Sequence, residues 1–353
     1  MPADHTLPDP LLAHVATMAP GTPLRDGFER ILRGRTGALV VLGNTREVQQ
    51  LCTGGFVLDV AFTPTALREL SKMDGAIVLD TQRFRIVRAG VHLMPDPALD
   101  TIETGTRHRT ADRVAQQTGV PVVSISASMA TISLFVGGQR RIVEHSEHIL
   151  ARANQALQTL ERYRSRLSEL TNRLSALEVH DQVTVKDVAV VAQQIEMVRR
   201  LQHELESYVL ELGTDGRLLS LQLFELSAGV DQLRELLERD YRPDADSDFG
   251  LDNLASLSTP ELLDALSVCR AIGLGPHLDG RIVTRGYRQV GQLGRIPPAL
   301  GVRLLEHFGG LQGLFAASAA DLQEVDGVGE SRARTIRDGL VRLADAAYSE
   351  HVD

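Results

Sequence analysis

The chain is poor in features that would place it in a membrane, in an oxidising compartment or on a metal. No apolar run approaches the ~20 residues that a bilayer-spanning helix needs. The opening residues, MPADHTLPDPLLAHVATMAPG, are acidic and broken by proline, with no basic stretch before an apolar one, which argues against a secretory signal. Cysteine occurs only twice, as Cys52 and Cys269, too far apart in sequence for a metal-ligand motif. Two reduced thiols in a cytoplasmic protein are expected, and a structural zinc site is set aside. Lysine is nearly missing as well. Lys72 and Lys186 stand among 37 basic residues, and the rest are arginine. Positive charge is not in excess: the formal net charge is −9, so any contact with nucleic acid has to be local.

What the chain has is apolar residues, 43% of the total, enough for real cores over 353 residues and for two or three domains. Three textures follow one another. Residues 1–145 alternate short apolar runs edged by glycine with helix-like stretches, the pattern of an α/β domain with a mixed sheet. The runs are GALVVLG from Gly37, GAIVLD from Gly75, FRIVRAGVHL from Phe84, VPVVSIS from Val120 and ATISLFVGG from Ala130. Between them TPTALRELSKM reads as a helix with Thr63 as N-cap and Pro64 at its first position. TADRVAQQTG reads as a second helix, starting near Ala111 and closed by Gly119.

Residues 146–285 form an all-α spine. Leu160, Tyr163, Leu167, Leu170, Leu174 and Leu177 alternate spacings of three and four, which places them on one helical stripe. A second helix is expected from Val185 to Leu212. A polar break, YRPDADSDFG from Tyr241, reads as a linker, and Thr259-Pro260-Glu261 opens a short helix. Residues 286–353 are helical and glycine-punctuated.

Two motifs in the first segment carry chemistry. Asp74-Gly75-Ala76 sits where a helix gives way to a strand. Gly105-Thr106-Arg107-His108-Arg109-Thr110 sits where a loop runs into a helix. Hydroxyls and arginine forks at a helix N-terminus suit a triphosphate, and one carboxylate on a nearby turn suits a divalent cation. Neither motif is a Walker loop or a dinucleotide fingerprint.

In this order, and with the flanking text GVHLMPDPALDTIETGTRHRTADRVAQQTGVPVVSIS, the two motifs resemble the diadenylate cyclase domain family. The likeness runs from Gly37 to Gly138. It implies condensation of two ATP molecules into cyclic di-AMP with release of two pyrophosphates, Mg²⁺ or Mn²⁺ serving as the divalent ion. Carried over by position, it makes Asp74 the metal ligand and, with Arg107 and Arg109, a catalytic residue. Gly75, Ala76, Leu93, Thr106, Arg107, His108, Arg109, Thr110 and Ser126 become the ATP-binding set. Leu93 would line the adenine pocket, and His108 either orients phosphate or packs. Family members with arginines just after the serine differ from this chain, where Ala127, Ser128 and Met129 follow Ser126. The resemblance further implies a homo-oligomer, an octamer made of tetramers that meet through their cyclase domains. The leucine stripe is a candidate for contacts within it.

Near the C-terminus, Val325-Asp326-Gly327-Val328-Gly329 followed by ESRARTIRDGLVRL reads as helix, hairpin, helix. Such a hairpin exposes backbone N–H groups to a DNA phosphate without reading bases, so Gly327, Val328, Gly329, Arg332, Arg334 and Arg337 are the candidate DNA-binding residues. Gly294-Arg295-Ile296-Pro297-Pro298 upstream looks like a degenerate partner hairpin. The same module could instead dock another protein, because residues 286–353 carry seven arginines against nine acidic residues. The resemblance, which extends to the order of the domains, implies a preference for branched DNA, slowing of the cyclase when it binds, a nucleoid-associated cytoplasmic location and a role in DNA damage and repair. A rival reading is a non-catalytic, ATP-sensing protein that binds DNA structures. An unrelated nucleotidyl transferase or ligase is disfavoured by the lack of lysines near the motifs other than Lys72.

Overall fold

The computed structural model describes residues 10–243, 248–293 and 296–349. The chain divides into two units. One holds the described residues through Gln155 plus Leu205–Gln222, and the other holds Ala156–Glu204 plus the described residues from Leu223 onward.

The first unit is built on an eight-stranded mixed sheet. The strands are β1 (Ala38–Leu42), β2 (Cys52–Thr53), β3 (Phe56–Ala61), β4 (Ala76–Asp80), β5 (Arg85–Leu93), β6 (Val122–Ser126), β7 (Thr131–Val136) and β8 (Gln139–Val143). They lie in the order β2-β5-β4-β1-β6-β7-β8, with β3 also paired to β5. Only β1 and β4 run parallel (Leu39 opposite Ala76); the other pairs are antiparallel. Every residue of β1 is buried because helices cover both faces of the sheet. On one face Val40, Leu42, Ile77 and Leu79 pack against Phe28 and Ile31 of α2 (Pro23–Arg33) and Leu67 of α4 (Pro64–Leu70). The short α1 (Pro10–Ala16) adds Val15 to that layer. On the other face Leu39, Val41, Ala76 and Val78 meet Val48 and Leu51 of α3 (Arg46–Leu51) and Ala111, Val114 and Ala115 of α5 (Thr106–Thr118). Each large side chain buried this way contributes about 1.5–3 kcal/mol.

The five strands expected from the apolar runs are all present. α4 begins as its sequence predicts, with Thr63 Oγ1 accepting the Ala66 N–H at 3.0 Å. One expectation is corrected. α5 does not start near Ala111 but at Thr106, so Thr106 through Thr110 occupy its first turns rather than a preceding loop. Gly105, at φ +87°, breaks the chain just before it, and the five residues that follow are compatible with helix once that break is made. Its far end closes as expected on Gly119 in the left-handed region.

Three helices contribute residues to both units: α6 (Ser146–Val179), α7 (Val185–Leu212) and α8 (Arg217–Ser227). In the second unit the leucine stripe is used inside the chain. Leu160, Leu167 and Leu174 are buried and Tyr163, Leu170 and Leu177 are half-buried, so the stripe is core and not a free face for contacts between copies. Val188, Val191, Ala192 and Ile195 of α7 are buried as well, and Gln194 Nε2 donates to the Tyr163 carbonyl at 2.9 Å. α9 (Val230–Tyr241), α10 (Thr259–Leu262) and α11 (Ala265–Ala271) follow. α10 opens on Ser258, which shares a capping box with Glu261. Residues 244–247 of the expected linker lie outside the described residues.

A buried polar cluster joins these helices to the C-terminal ones. Glu178 accepts from Arg288 Nη2 at 2.6 Å and from Tyr241 and Gln289. Asp240 accepts the backbone N–H groups of Gly286, at 2.8 Å, Tyr287 and Arg288, at 3.0 Å. It thereby satisfies the open end of α12 (Tyr287–Gln292). After α12 come α13 (Pro298–Phe308), α14 (Leu311–Ala316), α15 (Ala319–Leu322) and α16 (Glu330–Ser349). They close on one core that includes Val290, Leu304, Leu314, Val325, Val328, Ile336 and Leu340.

Candidate functional site

Strand register decides where the sequence candidates fall. Asp74 and Gly75 immediately precede β4, and Gly37 immediately precedes β1, which runs parallel to β4. β6 runs antiparallel to β1 with Ala38 opposite Ile125, which puts Ser126 at the same end of the sheet. β5 runs antiparallel to β4 with Ala76 opposite Val91, so Leu93 also lies past that end. The first turn of α5 is held there too: Arg107 Nη1 approaches the Ile125 carbonyl at 3.5 Å. The two motifs, distant in sequence, therefore converge with Leu93 and Ser126 at one end of the sheet.

The Asp74-Gly75 turn is conformationally fixed. Gly75 has φ +109°, and a Cβ there would lie 2.6 Å from the Gly90 carbonyl carbon and 2.8 and 2.9 Å from the backbone O and N of Val91. Only glycine fits between strands this close. Asp74 is exposed, and its Oδ1 accepts the Gly75 N–H at 3.1 Å. Ala76 and Leu93 are both buried, on the α5 face.

At the head of α5 no side chain caps the helix, so its first N–H groups are left for another acceptor. Thr106, Arg107 and Arg109 are exposed and Thr110 is half-buried. The Thr110 hydroxyl bonds back to the Thr106 carbonyl at 2.9 Å. His108 points the other way. It is 8% exposed, its ring meets the Phe135 ring edge-on at 6.0 Å, and its Nε2 has no hydrogen-bond partner. Burial, reinforced by the charges of Arg140 and Arg107 and opposed by Glu103, holds its pKa below the usual histidine value. Ser126 Oγ lies 3.2 Å from Ser128 Oγ and accepts the Met129 N–H at 3.4 Å.

Sequence reading missed Gly37. A Cβ on it would lie 2.0 Å from Arg107 Nη1, so the missing side chain is what gives the guanidinium its place. The only sequence signal was the glycine edge of GALVVLG.

In the C-terminal module Val325 and Val328 turn into the core, while Asp326, Gly327 and Gly329 face solvent. Of the two hairpin glycines only Gly327 needs to be one, with φ +90°; a Cβ on Gly329 would meet nothing within 4 Å. Arg332 and Arg334 are exposed, the first donating to the Gly327 carbonyl and the second paired with Glu330. Arg337 is half-buried and donates to the carbonyls of Phe315, at 2.7 Å, and Ala317, at 3.2 Å. Arg303 on α13, missed in the sequence, comes within 3.6 Å of Asp326. Gly294 and Arg295 of the upstream hairpin lie outside the described residues.

Comparison with known proteins gives the family. Residues 25–140 match the model of the DisA bacterial checkpoint controller nucleotide-binding family, and residues 143–279 match that of the DisA bacterial checkpoint controller linker region. The sheet, its two helical layers and the convergent motifs thus belong to a diadenylate cyclase, and the chain is an enzyme of that kind. The DNA integrity scanning protein DisA of Streptomyces coelicolor is 57% identical over 96% of this chain and 93% of its own length. That of Acidothermus cellulolyticus is 54% identical over 99% and 97%. The chain belongs to the DisA family. The non-catalytic reading falls with that membership. A crystal structure of DacA from Staphylococcus aureus is 21% identical, covering 37% of this chain and 86% of its own at a TM-score of 0.30, a likeness on which nothing rests. No helix among the described residues is long and apolar enough to cross a membrane.

Proposed function

We propose that each chain holds one ATP at the sheet end described above and that two such sites face each other in an octamer. The convergence of Asp74-Gly75, the head of α5, Leu93 and Ser126 at one end of the sheet carries this reading. Thr106, Arg107, Arg109 and Thr110 grip the phosphates together with the uncapped N–H groups of α5. Gly75 and Ala76 let the nucleotide approach the backbone, Leu93 lines the base and Ser126 adds a hydroxyl. His108 braces the first turn from below, against Phe135.

The 3′-hydroxyl oxygen of each ATP attacks the α-phosphorus of the other. A P–O bond to the α-phosphorus forms, the bond to the β-bridging oxygen breaks, and pyrophosphate leaves. Asp74 helps draw the proton from the attacking hydroxyl. Holding both ATPs in place turns a bimolecular encounter into an intramolecular one, and the arginines offset charge as it redistributes.

Among the described residues no cluster of three or more His, Cys, Asp or Glu side chains could hold a metal by itself. A single exposed carboxylate fits a divalent ion carried largely by phosphate oxygens, so Asp74 is its protein ligand. Bound there, Mg²⁺ or Mn²⁺ would supply charge neutralisation at the triphosphate.

Residues 1–145 carry the cyclase reaction, 146–285 space and transmit, and 286–353 bind DNA. Gly327 and Gly329 of the hairpin offer backbone N–H groups to a phosphate, whereas the N–H of the buried Val328 is bonded to the Val325 carbonyl at 3.0 Å; Arg332 and Arg334 stand beside the hairpin and Arg337 holds the supporting helix. Branched DNA, engaging several hairpins of one assembly, is favoured by multivalency and slows the cyclase. The enzyme acts in the cytoplasm, at the nucleoid.

The test is turnover of ATP with Mg²⁺ or Mn²⁺, following cyclic di-AMP and pyrophosphate by chromatography, with and without junction DNA. Asp74→Asn is expected to fold normally and lose turnover. Full activity in that variant removes Asp74 from the mechanism, and turnover indifferent to saturating junction DNA removes the regulatory half.

A further inference from the structure

The segment that leads into α5 is tied down at intervals. The Asp96 N–H donates to Gln117 Oε1 at 2.9 Å, Arg113 Nε to the Leu99 carbonyl at 2.8 Å, and Gln116 Nε2 to the Asp100 carbonyl at 3.2 Å. These ties fix its start against the body of α5. Its last stretch, from Thr101 to Gly105, must set where Thr106 and Arg107 stand. Among the described residues one long-range polar tie serves that stretch, the ion pair from Arg140 Nη1 to Glu103 Oε2 at 2.9 Å.

Glu103 is not an ordinary surface charge. The Glu103 side chain is 10% exposed and that of Arg140 31%. The other guanidinium nitrogens are used as well: Arg140 Nε and Nη2 both reach Ser133 Oγ, at 3.3 and 3.2 Å. Ser133 is fully buried in β7, so the fork is anchored on a rigid strand. The same guanidinium lies 5.9 Å from the centre of the Phe135 ring, which packs against His108. One arginine thus touches both things that locate the first turn of α5: the segment before it, through Glu103, and the ring beneath its buried histidine.

We propose that Arg140 and Glu103 are a positioning pair for the cyclase reaction, setting the phosphate-gripping turn without touching the nucleotide. The inference rests on the proposed role of Thr106, Arg107 and Arg109 in gripping ATP.

Steady-state kinetics of the full-length protein, with melting temperatures in parallel, provides the test. Arg140→Ala and Glu103→Gln are each expected to lower kcat/KM for ATP by about 10- to 100-fold, the scale of loss from misplacing a binding group by roughly 1 Å. The double variant should be no worse than the poorer single one, because the second change removes nothing more. Arg140→Lys keeps the charge but cannot fork between Glu103 and Ser133, and should fall between wild type and Arg140→Ala. Glu103→Gln preserves shape and is read if Arg140→Ala does not fold. Wild-type kcat/KM in Glu103→Gln overturns the proposal, as do losses that multiply in the double variant. So does a drop in melting temperature with unchanged kinetics, which marks a purely structural pair. Failure of the underlying reading looks different: Arg107→Ala would then be fully active whatever Arg140 does.

Discussion

Adding one methyl group at Gly37 should separate the activity of this enzyme from its stability. Gly37 has no positive φ, so alanine is conformationally acceptable there. The new Cβ would stand 2.0 Å from Arg107 Nη1 and 2.9 Å from its Cζ, an overlap that must be relieved. The atom that yields is the far end of a flexible, exposed side chain, held by one long contact of 3.5 Å to the Ile125 carbonyl. That carbonyl itself lies at 3.1 Å from the new Cβ, a modest crowding. Moving an exposed arginine costs about 0.5 kcal/mol or less, and alanine restricts the unfolded chain by a comparable amount, so net stability should barely change.

Activity should change much more. Charge-assisted hydrogen bonds contribute about 1.5–3 kcal/mol each. If displacement takes one such bond from the α-phosphate region in the transition state, kcat/KM falls about 10- to 150-fold. Initial rates of cyclic di-AMP formation and urea denaturation on the same Gly37→Ala preparation check both halves. Rates within twofold of wild type would refute the reasoning, since Arg107 would then do its work from somewhere other than the place Gly37 leaves for it.

Gly75→Ala should behave oppositely, because its new Cβ meets β5 backbone at 2.6–2.9 Å and φ is +109°. Strain of about 1–3 kcal/mol adds to the overlap, whereas Gly119→Ala, in open space at φ +66°, should lose only about 1 kcal/mol. Equal urea midpoints for the two variants would defeat this. Arg288→Met should destabilise the protein by about 3–5 kcal/mol, because it strands the fully buried Glu178 carboxylate; a midpoint near wild type would show the charge is satisfied elsewhere. Burial, and next the charge of Glu178, pushes the Asp240 carboxyl up to about 7. A folded-state pKa raised above the unfolded value of 3.8 gives stability that is complete below that pH and lost as pH rises to about 7. Asp240→Asn should flatten that slope, and a slope that survives the substitution would assign it to another group.

How much was legible beforehand follows from what each element is made of. β1, β4 and β6 are buried on both faces and read as short apolar runs edged by glycine, which only a covered strand tolerates. β3 was missed because Phe56, Val57 and Val60 are exposed and Asp59, at φ +45°, interrupts the alternation with a bulge. The start of α5 was placed too late because hydroxyl and charged residues before an apolar run imitate a loop and cap. The leucine stripe was visible, but periodicity alone does not say what covers it. Among site residues, Asp74-Gly75 and the Arg107 turn stood out because their chemistry is local. Gly37 and Arg140 did not, because a place left empty for a guanidinium, or an arginine spanning from β8 to a loop, is created only by strand pairing.

That difference bears on how the site works. In the proposed mechanism the local residues contact the nucleotide, and the folded sheet decides where they stand. Gly37 leaves room on one side of Arg107, Gly75 forces the Asp74 turn against β5, and Arg140 holds the approach to α5 from β8. The three act from different strands, so a change at any one of them should spare the chemistry of the others. Losses from Gly37→Ala and Arg140→Ala should therefore multiply when combined, unlike the pair Arg140 and Glu103, which share one contact. A combined variant no slower than its poorer parent would mean that both displace the same atoms, and that the turn is held at one point rather than two.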